Sequence, residues 1–114
     1  MDEPTPDTWA TLVAQVSPGY AQREVRAALR HHRRTANITR ADAARRLGWS
    51  VGSVLRSEHG GRPLALNDLH TVLTVYGIIG DSTHGDENRR LWAYTKHALT
   101  EIGPMPVTPR GYPR

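Results

Sequence analysis

The sequence contains no cysteine and only one lysine among its 114 residues. The lack of cysteine excludes disulfides, thiolate zinc sites and cysteine nucleophiles, so core packing alone must stabilise the fold. No apolar run is long enough to cross a bilayer. The first residues, MDEPTPDTW, are acidic and proline-rich, unlike the basic and apolar start of a secretory signal. We therefore expect a cytoplasmic protein with no membrane segment and with room for one domain.

Positive charge is concentrated in one part of the chain. Ten arginines and three acidic residues lie between Arg23 and Arg62, which gives this segment a net charge of +7. The rest of the chain has five basic and eight acidic residues, a net charge of −3. Arginine suits bidentate phosphate contacts, although its excess over lysine also fits a GC-rich coding bias. The clustering itself is typical of nucleic-acid binding.

Hydrophobic spacing predicts six helices and no strand of useful length, so the fold class is all-α. Asp7 or Thr8 is expected to cap the first helix, and Ser17-Pro18-Gly19 to end it. The other five helices are expected over about 21–34, 40–47, 51–59, 66–76 and 86–102. The predicted organisation is an N-terminal helix in residues 1–19, a central domain in 20–80, and a linker with a C-terminal helix in 81–102. Residues 103–114 hold half of all the prolines and are expected to be a disordered tail.

The stretch ADAARRLGWSVGSVLRSEHGG, residues 41–61, is spaced like two short helices with a sharp turn between them. Ala44 is small enough for a close helix crossing, and Gly48 can adopt the positive φ that the turn requires. The apolar positions around the turn are Leu47, Trp49 and Val54. Ser50 is placed to cap the second helix, whose outer face would then project from the body of the domain. A helix that protrudes in this way can enter a major groove.

Two segments, ITRADAARRLGWSVGSVLRSEHGGRP and LNDLHTVLTVYGI, resemble the lambda-repressor-like, Xre/Cro-type helix-turn-helix regulators, especially the actinobacterial ones. The resemblance runs from about Val25 to Ile78, roughly half of the chain. It implies a five-helix DNA-binding domain, to which this chain adds an N-terminal and a C-terminal helix. The implied partner is double-stranded DNA, and the implied role is transcription regulation at the nucleoid.

The resemblance also implies which residues face DNA. The recognition helix would begin at Ser50, and the residues directed at base edges would be Val51, Gly52, Ser53 and Arg56. The residues expected near the DNA backbone are Arg40, Arg45, Ser50, His59 and Arg62. Val51, Gly52 and Leu55 offer no hydrogen-bonding side chain, so Arg56 would be the one long donor to a guanine. Ser57 departs from the family pattern, which usually has a buried Ile or Leu there.

Other functions find less support in the residues. The six histidines show no HExxH or similar spacing, and no GxSxG motif is present, so we expect no metal site, no cofactor and no catalytic residue. A homodimer is expected if the first or last helix forms a subunit contact; the alternative is that both pack on the core. A second hypothesis is a protein-binding adaptor in which the apolar face of Val51, Gly52 and Leu55 docks a partner protein.

Overall fold

The computed structural model describes residues 6–80 and 82–110. Six α-helices follow one another along this part of the chain: α1 (Pro6–Val13), α2 (Pro18–Thr35), α3 (Arg40–Leu47), α4 (Val51–His59), α5 (Leu66–Val75) and α6 (Gly85–Leu99). A short 3₁₀ turn (Ser82–His84) precedes α6. The described residues contain no β-strand, and the prediction of an all-α fold is confirmed. None of these helices is long and apolar enough to cross a membrane.

The core lies where α2 to α6 converge. Its large fully buried side chains come from α2, α4, α5 and α6, whereas the fully buried residues of α3 are two alanines. The central members are Leu29, Ala43, Ala44, Val54, Leu69, Leu73 and Leu91. Because Ala43 and Ala44 are small, α3 can approach its neighbours closely. The fold thus holds α3 and α4 against a body made of the other helices.

The start of α2 differs from the prediction. Ser17-Pro18-Gly19 was expected to end the first helix, but Ser17 is the N-cap of α2 and its side chain accepts a hydrogen bond from the Tyr20 amide. Pro18 occupies the first turn of α2. Backbone N–H groups there have no acceptor within the helix, so the absence of one in proline costs no helical hydrogen bond. Serine followed by proline therefore starts a helix here, and α1 ends earlier, at Val13.

The bend between α3 and α4 confirms the prediction made for Gly48. This residue ends α3 with φ of 75°, and its amide donates to the Ala44 carbonyl. Thr39 caps α3 by accepting from the Asp42 amide, and Ser50 caps α4 by accepting from the Ser53 amide. Each helix is thus started by its own hydroxyl cap, so α4 leaves the turn in a fixed direction.

The first and last helices fold back on the domain. Helix α1 packs on α6, and α6 packs on α2. The Trp9 indole donates to the Asp86 carboxylate at 3.0 Å, and a ring nitrogen of His97 lies 2.7 Å from the Val16 carbonyl. Leu12 and Trp92 keep 51% and 39% of their surface exposed.

The segment after α6 is ordered in the structure, unlike the disordered tail that the sequence predicts. Met105 is buried in the core, with only 5% of its surface exposed, and its amide donates to the Pro63 carbonyl at 2.7 Å. Burial of this side chain together with backbone hydrogen bonds offsets the entropy lost by a proline-rich segment. Residues 111–114 of the expected tail lie outside the described residues.

Candidate nucleic-acid interface

Helix α4 has one face that the domain leaves open. Val51 and Leu55 are 50% and 44% exposed, and they point away from the core. Arg56 and His59 are exposed on the same side, and Gly52, which lies between them around the helix, is partly exposed. The opposite side of the helix carries Val54 and other buried residues. Five positions that the sequence assigns to contact with DNA or with a partner protein therefore lie together on the outside of α4: Val51, Gly52, Leu55, Arg56 and His59.

Ser53 is the exception among the predicted base-contacting residues. It is fully buried, and its hydroxyl accepts a hydrogen bond from the Thr108 amide at 2.8 Å. The sequence-based expectation placed Ser53 toward a base edge, whereas the structure places it on the flank of α4 beneath the C-terminal segment. The reason is geometric, since Ser53 lies roughly opposite Val51 and Leu55 around the helix.

Arg56 lies at the edge of the open face. Its Nη2 donates to Ser53 Oγ at 3.1 Å and lies 3.4 Å from Thr108 Oγ1. A groove of about 270 Å³ adjoins this side chain, and its lining residues are Arg56, Gly60, Gly61, Arg62, Met105 and Pro106. Arg56 and Arg62 therefore give one side of α4 two guanidinium groups.

Arg40 stands at the start of α3, where a phosphate contact was expected. Its Nε lies 3.2 Å from the buried Glu58 carboxylate, and its Nη2 lies 3.3 Å from the His59 ring. About a third of the side chain is exposed, at 34%. The guanidinium thus bridges α3 to the C-terminal end of α4, and part of its surface still faces solvent.

Arg45 and Arg62 are both exposed. Arg45 donates to Asp42 one helical turn away at 2.6 Å, and this hydrogen bond holds the pKa of the Asp42 carboxyl below its usual value. The carboxylate partly offsets the positive charge that Arg45 offers to a phosphate. The Arg62 carbonyl accepts from the Gln22 side chain at 2.8 Å, which fixes the backbone from which its guanidinium projects.

The arginines of α2 have a role that the sequence analysis did not find. Arg33 is buried and pairs with Glu58 of α4. Arg26 donates to the Gly60 carbonyl, and Arg30 donates to the Glu58 carbonyl at 3.2 Å. Positive groups at the C-terminal end of a helix satisfy its last carbonyls and suit its dipole. The arginines of α2 thus hold the end of α4. Local sequence patterns do not show this role, because each arginine and its partner lie 25 or more positions apart.

Ser57 also fits its buried position. Its hydroxyl donates to the Val54 carbonyl at 2.6 Å, so the polar atom that replaces the usual apolar side chain has a partner. Within residues 6–80 and 82–110, no group of three or more His, Asp or Glu side chains is arranged to hold a metal ion.

Comparison with known proteins adds one finding to this geometry. A family model described as a helix-turn-helix domain matches residues 24–84, which is more than half of the chain and includes α3, the Gly48 bend and α4. No curated protein and no solved structure matches the chain.

Proposed function

Because the chain belongs to this helix-turn-helix family, we propose that it is a transcriptional regulator that binds double-stranded DNA and reads the major groove with α4. In proteins of this architecture the second helix of the unit lies in the groove, and its first residues contact base edges. Here the candidates for that contact are Val51, Gly52 and Arg56, with Val51 suited to a thymine methyl and Arg56 to a guanine.

The observation that carries the proposal is the open face of α4. The face of α4 that carries Val51 and Leu55, with Arg56 at its edge, is exposed, whereas the other side of the helix packs in the core. The Gly48 bend and the Ser50 cap fix its direction. Exposed apolar groups beside a guanidinium match the mixture of methyl and acceptor groups in a major groove.

Residues around this helix are suited to the DNA backbone. Arg40, Arg45 and Arg62 each keep guanidinium surface exposed near α3 or α4, and His59 lies beside Arg40. The Ser50 side chain is already used as a helix cap, so the N-terminus of α4 is what would face a phosphate. One arginine per monomer gives limited base discrimination, so we propose a homodimer with recognition helices about 34 Å apart on a pseudo-palindromic site.

The experiment begins with selection of bound sequences from a random duplex pool. Arg56→Ala should lower affinity for the selected site by about tenfold, because a bidentate arginine–guanine contact is worth about 1–3 kcal/mol. The helical circular dichroism signal should stay unchanged, since Arg56 is exposed. Arg23→Ala, on an exposed part of α2, is the matched control. Equal affinity of the Arg56 variant and the parent protein would contradict the proposed role of α4.

A protein-binding adaptor is the second candidate function, and exposure of Val51 and Leu55 is the observation that favours it. Together these side chains offer a small apolar surface to a partner helix or groove. Leu55→Asp separates the two functions. If the parent protein enriches no DNA sequence, and this substitution abolishes binding of a captured protein partner, the adaptor function is supported.

A further inference from the structure

The segment that follows α6 runs along the first turn of α4. We call residues 104–110 the C-terminal strap. The Thr108 carbonyl accepts from the Ser50 amide at 2.7 Å, and the Arg110 amide donates to the Gly48 carbonyl at 3.0 Å. Trp49 and Pro109 form an isolated antiparallel bridge. The strap is thus held at its beginning by the buried Met105, whose amide donates to the Pro63 carbonyl, and at its end by the turn and the start of α4.

The strap is linked to Arg56 by two hydroxyl groups, those of Ser53 and Thr108. Ser53 Oγ accepts from the Thr108 amide at 2.8 Å and from Arg56 Nη2 at 3.1 Å. The same Nη2 atom lies 3.4 Å from Thr108 Oγ1. A guanidinium that projects from a helix surface otherwise samples many rotamers, and two oxygens on one side restrict it.

The position of the strap leaves the open face of α4 uncovered. Val51 and Leu55 remain about half exposed although the strap is in place. The strap contains no acidic side chain, and its one charged residue is Arg110, which is exposed. A segment that imitated the DNA backbone to block α4 would carry negative charge. This strap adds positive charge beside the Gly48 bend instead.

We propose that the C-terminal strap is a fixed flank of the DNA interface, in which Ser53 and Thr108 are positioning residues for Arg56. The proposal rests on the proposed function and adds a specificity-determining element outside the helix-turn-helix unit. Ser53 contacts no base in this arrangement. It restricts the Arg56 guanidinium to the edge of the open face next to the strap before DNA binds, so less side-chain entropy is lost on recognition.

The first test compares two serine substitutions on the same helix. Ser53→Ala removes the hydroxyl shared by the strap and Arg56, whereas Ser57→Ala removes an equally buried hydroxyl that donates to the Val54 carbonyl. The measurement is the ratio of affinities for the selected site and for random duplex DNA. We expect Ser53→Ala to lower this ratio by about threefold to tenfold, which does not exceed the discrimination that one base contact provides. Ser57→Ala should leave the ratio unchanged. Equal ratios for the two variants would overturn the proposal.

The second test keeps the strap backbone in place. Thr108→Val removes only the hydroxyl, so its amide and carbonyl contacts with Ser53 and Ser50 remain, and Thr108→Ser restores the hydroxyl. The affinity ratio should fall with valine and recover with serine. Thr71→Val removes an exposed hydroxyl of α5 as a control. An unchanged ratio with valine would exclude Thr108 as a positioning residue.

A chain that ends at Met105 keeps the buried anchor and removes the rest of the strap. Weaker binding to the selected site supports the proposal, while tighter binding would show that the strap competes with DNA and would overturn it. If the parent protein enriches no sequence at all, the proposed function fails first, and this inference fails with it. Enrichment by the parent together with unchanged variants would reject the inference alone.

Discussion

At the scale of single residues, Glu58 connects the interface with the core. Its carboxylate is fully buried, 2.5 Å from Arg33 Nε and 3.2 Å from Arg40 Nε. The hydrogen bond to Glu58 raises the pKa of Arg33. One buried carboxylate thus ties α2 and α3 to the end of α4. The buried pair of Glu58 and Arg33 stabilises the fold only while both of its charges are present.

Glu58→Gln should therefore lower the free energy of unfolding by about 3–5 kcal/mol, because it leaves the Arg33 charge buried without its counterion. Urea unfolding followed by circular dichroism measures the change. Glu101→Gln, at an exposed position after α6, should change stability by less than about 0.5 kcal/mol. A similar small loss in both variants would show that the buried pair contributes little.

Residue-scale patterns show what the sequence can predict and where it stops. Gly48 and Ser50 were predictable because a positive φ and a helix cap depend on neighbouring residues. Ser53 and Thr108 lie 55 positions apart, so no local pattern reveals that a strap covers one predicted base contact. The partnership of Arg33 with Glu58 is hidden for the same reason, since these residues lie 25 positions apart.

At the scale of elements, an ionic cluster joins α2 to α6. A ring nitrogen of His32 lies 2.6 Å from the Glu87 carboxylate, and Arg90 donates to the same carboxylate at 2.8 Å. The hydrogen bond with His32, assisted by Arg90 and opposed by burial, lowers the pKa of Glu87 to about 2. This carboxylate therefore stabilises the contact between the central domain and the last helix while it is ionised.

The lowered pKa of Glu87 gives the stability of the protein a specific pH dependence. The stabilisation is fully present above the ordinary carboxyl pKa of 4.5 and is lost as the pH falls toward about 2. Glu87→Gln should cost about 1–3 kcal/mol at neutral pH and should flatten the stability profile between these values. Glu24→Gln, whose carboxylate lies 3.8 Å from Arg90 in a more exposed place, is the control. Parallel profiles for parent and Glu87→Gln would contradict this assignment.

Helix boundaries were partly predictable. The predicted start of α3 and the predicted Ser50 cap of α4 are correct, and α5 ends at Val75, one residue before its predicted end. Ser17-Pro18 was misinterpreted because serine and proline punctuate both the end of one helix and the start of the next. Which helix the pair belongs to depends on the packing of α2, which a local pattern does not contain.

At the scale of the whole molecule, the first and last helices pack together and leave apolar surface exposed. Helix α1 packs on α6, and both keep large apolar groups exposed, namely Leu12 and Trp92. Intramolecular packing therefore accounts for part of the apolar surface of these helices and leaves part of it uncovered. The proposed homodimer would use the uncovered part, away from α4.

Light scattering over a range of protein concentrations tests the proposed homodimer. We expect the parent protein to reach the mass of two chains, and Trp92→Glu to shift the dissociation constant upward by about tenfold or more, because it places a charge in an apolar contact. Lys96→Gln, at another exposed position of α6, lowers the net charge by the same single unit and is the control. A monomer at every concentration would reject the dimer.

The path of the strap also has a practical consequence for handling the protein. The Arg110 amide donates to the Gly48 carbonyl at the bend, so any polypeptide fused directly after Arg110 begins next to the start of α4. If α4 binds DNA as proposed, a purification handle or fluorescent reporter attached there should weaken binding. Comparing the DNA affinity of such a fusion with that of the parent protein measures how closely the strap borders the bound duplex.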